Sequence, residues 1–286
     1  MKQRQCWYSI VLFFIVLLFG TNTYSACELI MVYKEGAKEP LIEAKPSYAG
    51  VYYELFGRAS QRIGCTLIVE RLPKKRLHQE LELGNLDFYP GASFSKKRAK
   101  YLYYIPNGLE TGEYGLTGNG VPELTSYEDL KNHKITWLLE IGSSKLELAE
   151  ELGIPVLERR HQDVDIVAKF IKRSPKVEYF YVADRELIDF FPRRTGVESI
   201  ESVGLKVHKQ CCGGDQPMHM GFSRFSKHFS EIRNPSYDAS KIISPKNFPV
   251  IVDPMSVAAK LGGALAAMDA EGITKKIYAR WFFEGK

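Results

Sequence analysis

Short apolar runs alternate with amphipathic stretches along most of the chain. Leu29 to Tyr33, Thr66 to Glu70 and the run after Gly84 read as strands. Between them, Tyr52, Leu55, Phe56, Ala59 and Ile63 recur at helical spacing and stop at Gly64. Leu77 and Leu81 mark a second helix that stops at Gly84. Strands alternating with helices predict a β-α-β-α-β unit with a parallel sheet. Glu110 to Gly118, rich in glycine, reads as an extended segment leading out of that unit. A second unit follows. Thr125 with Glu128 is a capping-box pattern, Ile135 to Leu139 an apolar strand, and Ser144 with Glu147 a second capping box opening a helix through Leu148, Ala149 and Leu152. Ile166 to Ile171 fits a helix and Val177 to Val182 a strand. Pro217 to Phe222 reads as a strand returning to the first unit. The pattern predicts an α/β protein of two lobes, the first discontinuous, with two crossing segments that form a hinge. The predicted boundaries are 26–116 for the first part of lobe one, 117–222 for lobe two and 223–286 for the remainder of lobe one. Within that remainder, 230–254 is polar, holds Pro235, Pro245, Pro249 and Pro254, and shows no periodicity.

The beginning of the chain has a different pattern. Lys2 and Arg4 precede an unbroken apolar run from Ile10 to Phe19. The run is shorter than the roughly 20 apolar residues that span a bilayer, and it fits the core of a secretory signal peptide. Thr23 and Ser25 predict cleavage after Ser25, which makes 1–25 a signal peptide and places the protein in the periplasm. Tyr24-Ser25-Ala26-Cys27 also resembles a lipobox, with Tyr24 where an aliphatic residue is usual, so a lipid anchor on Cys27 is a competing fate. About 260 residues remain after cleavage, enough for two cores. The charged fraction of 26% is ordinary for a globular protein. Loss of Lys2 and Arg4 lowers the net charge from +5 to +3, and no run of five like charges occurs, so nucleic acid is not an expected partner.

Gly84 to Arg98 carries the most chemistry. A glycine ends a helix, an apolar run makes a strand, and the turn Gly91-Ala92-Ser93-Phe94-Ser95 leads to Arg98. Hydroxyls, backbone N–H groups and a guanidinium thus gather at the carboxyl end of a strand, where open α/β sheets form their ligand clefts. The guanidinium fork grips a carboxylate with two parallel hydrogen bonds. With Gly84, Asp87, Gly91, Ser93, Ser95 and Arg98 in this order, the stretch resembles the type II periplasmic solute-binding proteins, specifically extracellular solute-binding family 3. Gly50 to Leu55 and Leu72 to Arg76 are similar to the starts of the family's first two helices. Ser126 to Lys131, Ile135 to Trp137 and Gly142 to Ser144 are similar to the opening of its second lobe, and Gly272, Ile277, Trp281 and Phe282 to its closing helices.

The resemblance implies a two-lobed fold whose lobes are mostly parallel sheets flanked by helices. It implies that a small carboxylate-bearing solute, an amino acid or relative, is bound for delivery to an ABC transporter permease by a monomer without cofactor or metal. Arg98 and Ser93 would hold the carboxylate from lobe one. Ser143 and Ser144, at a strand-to-helix junction, would hold it from lobe two. Asp184, after the strand Tyr179 to Ala183, would hold an ammonium group. Tyr33 would form an aromatic wall, and Arg76 would face the cleft. The first two strands are parallel neighbours in that fold, so Cys27 and Cys65 at their starts are expected to form a disulfide. It would close a loop of about 40 residues and stabilise by roughly 3–4 kcal/mol. One sulfur cannot carry both that bond and a lipid. Cys211 and Cys212 could pair with each other, stay reduced or pair with another chain.

Two other functions compete. The same lobes could signal to a membrane receptor. Cyclohexadienyl dehydratases share the fold, and Glu178 and Asp184 are the carboxylates that could act as a general acid. No nucleophile elbow, His-Glu-x-x-His or phosphate-cradling loop occurs. His208, Cys211, Cys212, Met218, His219 and Met220 have the ligand chemistry for copper, but Met218 and Met220 on one strand face and His219 on the other fit a plain strand equally. The first strand wall could also include Tyr48, Tyr52, Tyr89 or Tyr114, with Tyr52 in phase with the core.

Overall fold

The computed structural model describes residues 27–160, 164–173 and 177–284. The predicted signal peptide, 1–25, lies outside the described residues. Lobe one opens with β1 (Cys27–Lys34), α1 (Val51–Arg62), β2 (Cys65–Leu72), α2 (Lys74–Glu82) and the short β3 (Phe88–Tyr89). β1 pairs in parallel with β2 and β3. α1 turns Val51, Tyr52, Leu55, Phe56 and Ala59 onto the sheet and leaves its opposite face in water. Both predicted glycine stops hold. Gly84 has φ +76°, and a Cβ there would stand 2.3 Å from the Phe225 carbonyl oxygen, so neither the conformation nor the space admits a side chain.

β4 (Leu102–Gly118) is long enough to leave lobe one and enter lobe two. Lobe two contains α3 (Glu128–Asn132), β5 (Thr136–Glu140), α4 (Leu146–Leu152), β6 (Val156–Arg159), α5 (Val164–Arg173), β7 (Tyr179–Asp184), α6 (Arg185–Thr195) and β8 (Leu205–His208). β9 (Gly214–Ser223) then returns alongside β4 and pairs with β3. The strands run β2-β1-β3-β9-β4-β7-β5-β6, with β8 beside β4. The outer pairs of each lobe are parallel, and the crossing strands are antiparallel to their neighbours.

The buried side chains divide accordingly. One core holds residues from Leu29 to Leu109 and from Met218 to Ile277, and two smaller clusters lie between Leu116 and Cys212. The crossings therefore fall at about 110–115 and 213–217. Met218, Met220 and Phe222, within the stretch assigned from sequence to lobe two, pack in the first core because β9 pairs with β3 there. The β4–β9 ladder shifts register between Pro106 and Glu110. Asn107, fully buried, repairs the break by donating to the Pro90 carbonyl at 2.8 Å and accepting from the Leu109 N–H at 2.9 Å.

Residues 230–254 hold more order than their composition predicts. β10 (Glu231–Arg233) and β11 (Val250–Val252) pair antiparallel, too short for any periodicity to register. Phe229 and Phe248 pin this ribbon to Tyr103. α7 (Val257–Ala270) is capped by Ser256, whose Oγ accepts from the Ala259 N–H, and covers lobe one. α8 (Ile273–Ala279) follows, and beyond it Arg280 and Trp281 both reach Glu54 on α1.

Cys27 lies opposite Cys65 in the β1–β2 register, and the two are disulfide-bonded. Cys211 and Cys212 are bonded to each other. Among the described residues, no helix is long and apolar enough to cross a membrane. Replacing Cys27 and Cys65 together by serine is expected to cost roughly 2–4 kcal/mol, read as a lower midpoint in denaturant titration. An unchanged midpoint would show that the strand pairing alone sets the loop.

Candidate functional site

Asp87, part of the motif that suggested a site, turns out to hold the fold. Its buried carboxylate accepts from the Ile30 N–H at 2.7 Å and from Ser226 Oγ at 2.5 Å, tying β1 and the chain after β9 to the β3 entry. This clamp and the glycine stop set where β3 ends. Past that end, Gly91 passes so close to Tyr52 that a Cβ would meet its hydroxyl at 2.3 Å. The chain then turns through Ser93 and Ser95 to Arg98, whose N–H is accepted by Ser95 Oγ at 3.2 Å.

Between the lobes lies a cavity of about 120 Å³. Arg98, Ser93, Ser143, Ser144, Asp184 and Tyr33 line it, together with Tyr89. A contiguous chamber of about 390 Å³ extends past Phe94, Tyr127, Met218 and His219. Arg98 is only 6% exposed. It donates to the Gly142 carbonyl of lobe two at 2.8 Å and, at 3.5 Å, to the Ser93 carbonyl. Tyr33 stacks on Tyr89 with ring centroids 5.2 Å apart, a pair that makes one apolar wall.

Arg76 is not part of this arrangement. Its side chain is 64% exposed and pairs with Glu80, one turn along α2, at 2.7 Å. Lys74 faces the cleft instead, because residues two apart on a helix point about 200° apart. The second capping box also resolves differently. α4 starts at Leu146, and Ser143 Oγ, rather than Ser144, accepts from the Lys145 N–H at 3.2 Å. In the first capping box, Asp129 rather than Glu128 accepts from the N–H groups of Thr125 and Ser126. Of the other tyrosines, Tyr52 is core, with its hydroxyl 3.1 Å from Met218 Sδ, and Tyr48 is exposed. Glu178 is exposed and does not line the cavity. Of the residues with copper chemistry, Cys212, Met218 and His219 line the larger chamber, while Cys211, Cys212 and His208 are otherwise engaged. The two sulfurs of Cys211 and Cys212 are joined, and buried His208 is held by Thr117 Oγ1 and the Leu124 N–H.

Apart from Arg98 and Asp184, the charges around the cavity were missed from sequence. Lys34 and Lys74 of lobe one both bind Glu140 of lobe two, at 3.1 and 2.8 Å. Lys38 binds Asp184 at 2.7 Å, again between lobes, and Lys145 binds Glu113 at 2.6 Å. Burial pulls Lys74 down to about 8, with the Lys34 and Arg98 charges adding to the fall and Glu140 opposing it. Burial also opposes ionisation of Lys38 and Glu140, but Asp184 carries Lys38 well above the ordinary lysine range, and Lys74 and Lys34 carry Glu140 below the usual carboxylate range. Lys38 sits on a loop held by Arg71, which donates to the carbonyls of Lys34, Glu35, Gly36, Glu43 and Ser47. Strand-end positions such as Lys34 and Glu140 were the available signal, since cleft-facing residues cluster there.

Behind Asp184, Glu186 is fully buried. Thr111 Oγ1 donates to its Oε2 at 3.0 Å, and its Oε1 has no hydrogen-bond partner. Burial pushes it up to about 7, with Asp184 adding to the shift and Lys38 opposing it. The folded state thus keeps a proton that the unfolded chain releases near 4.5, so stability present below 4.5 is lost as pH rises to about 7. Glu186→Gln is expected to flatten that decline, an effect on the order of 1–3 kcal/mol at pH 8, visible in melting temperatures between pH 5 and 8. Equal slopes for both proteins would place the proton elsewhere.

No protein-family model and no curated protein matches the chain. Solved structures do match. ArtJ of Geobacillus stearothermophilus, an arginine-, lysine- and histidine-binding protein, aligns with TM-score 0.63 and 15% identity, covering 91% of this chain and 96% of its own. The substrate-binding protein of an amino acid ABC transporter aligns at 0.61 and 12%, covering 90% and 99%. The GluR0 ligand-binding core of Nostoc punctiforme, solved with L-glutamate, aligns at 0.62 and 14%, covering 89% and 99%. The lobe division, the double crossing and these neighbours agree, and the chain has the two-lobed fold of the type II periplasmic solute-binding proteins that its Gly84–Arg98 stretch resembles.

Proposed function

We propose that the protein is a periplasmic binding protein that closes on a small carboxylate-bearing solute, an amino acid or relative, and delivers it to an ABC transporter permease. The observation that carries this reading is the convergence of Arg98 and Ser93 from lobe one with Ser143 and Ser144 from lobe two on one interlobe cavity. A carboxylate there would take the guanidinium fork from one side and lobe-two donors from the other. Such a ligand binds the closed form better than the open form, and that difference drives closure. The fold and the names of its structural neighbours support binding rather than catalysis. Asp184, a possible general acid, is engaged by Lys38.

The test is calorimetric titration of the refolded protein with small carboxylates, with solution scattering on the same samples. Saturable binding with a smaller radius of gyration is the expected result. Binding without compaction would refute closure, and turnover of a cyclohexadienyl acid would refute a pure binding role.

A further inference from the structure

The charges of the cleft are unequal. Among the described residues lining the cavity are five cations, Lys34, Lys38, Lys74, Lys145 and Arg98, and three carboxylates, Glu113, Glu140 and Asp184. Each carboxylate is already engaged by lysine: Glu113 by Lys145, Asp184 by Lys38, and Glu140 by two at once. Arg98 has backbone carbonyls as its hydrogen-bond partners and no carboxylate. The formal excess is two positive charges in a small space between the lobes.

An ordinary α-amino acid is a poor match for this arrangement. Its ammonium group needs an anion, and Asp184, placed to supply one, is paired with Lys38 at 2.7 Å. Its single carboxylate satisfies Arg98 and leaves the surplus shared by Lys34 and Lys74 uncompensated. We infer that the solute is net anionic, with one carboxylate on Arg98 and a second anionic group drawn to Lys34 and Lys74, and that it needs no ammonium group. This rests on the binding role proposed above and narrows its ligand class. Complementary charge in a desolvated site gives specificity by penalising the wrong partner as well as holding the right one.

The test uses the disulfide-bonded protein, freed of carried-over solute by unfolding and refolding without reductant. Succinate, glutarate, phthalate and L-glutamate are titrated beside L-glutamine, L-lysine and L-arginine at pH 7. The expected result is at least tenfold tighter binding of succinate, glutarate or phthalate than of any of the three uncharged or cationic amino acids; binding of L-glutamate with none of these three dianions would overturn the inference. Lys74→Met should then weaken the preferred anion at least tenfold, and Lys34→Gln serves where Lys74→Met fails to fold. Binding of glutamine, lysine or arginine as tight as any anion would overturn the inference and leave the binding role intact. Preferred-anion binding unaffected by both lysine variants would also overturn it. No binding by any of the seven compounds would overturn the binding role and the inference together.

Discussion

Alanine at position 98 is expected to weaken carboxylate binding about 100-fold while lowering the melting temperature of the ligand-free protein by no more than a few degrees. The guanidinium is nearly buried, and two of its contacts go to backbone carbonyls of Ser93 and Gly142. Its other donors remain for a ligand. Hydrogen bonds to a charged group contribute roughly 1.5–3 kcal/mol each, so losing a bidentate pair corresponds to about two orders of magnitude in affinity. The structural loss is smaller, because the Gly142 carbonyl sits at the cleft and can turn to water once the side chain is gone. Isothermal titration with the best-binding carboxylate reads the effect. A change below threefold would mean that the anion sits elsewhere in the cavity.

Glutamine at position 140 is expected to open the ligand-free cleft rather than unfold the protein. The Glu140 carboxylate is 6% exposed and counters both Lys34 and Lys74. Removing one partner from a buried charge cluster in a rigid core costs about 3–5 kcal/mol. Here the lysines belong to lobe one and Glu140 to lobe two, so separating the lobes returns both ammonium groups to water. The cost is therefore limited to the free energy of opening. Small-angle scattering should show a larger radius of gyration for Glu140→Gln, with only a small fall in thermal midpoint. A large fall in midpoint at constant radius would show that the two lobes behave as one body.

The parts of the molecule legible in the sequence are those set by local rules. The helix over 51–62 is visible because Tyr52, Leu55, Phe56 and Ala59 share one face and a glycine stops it. Arg98 and Ser93 are visible because turn residues after a short apolar strand mark a cleft edge. What could not be read depends on contacts between distant segments. Lys34 and Glu140 are 106 positions apart, and nothing local announces that they meet. Lys38 lies on a loop whose path is set by Arg71, a residue near the end of β2 that the sequence pattern left unassigned. The expectation that Arg76 faces the cleft failed on helix phase. Asp87 has a role that the stretch itself did not reveal: its carboxylate accepts hydrogen bonds from the Ile30 N–H of β1 and from Ser226 Oγ.

The two strands that join the lobes also bear on mechanics. β4 and β9 are hydrogen-bonded to each other along the crossing, with the ladder interrupted only between Pro106 and Glu110. Two independent linkers would let the lobes swivel about several axes. A bonded ribbon resists twisting and sliding, since either would break several ladder bonds at once, while bending out of its plane breaks few. In the closure proposed above, the paired strands would favour bending about one line over swivelling. A docking partner of the proposed binding protein would then meet outer surfaces related by a single rotation, a simpler difference to read than free swivelling would present.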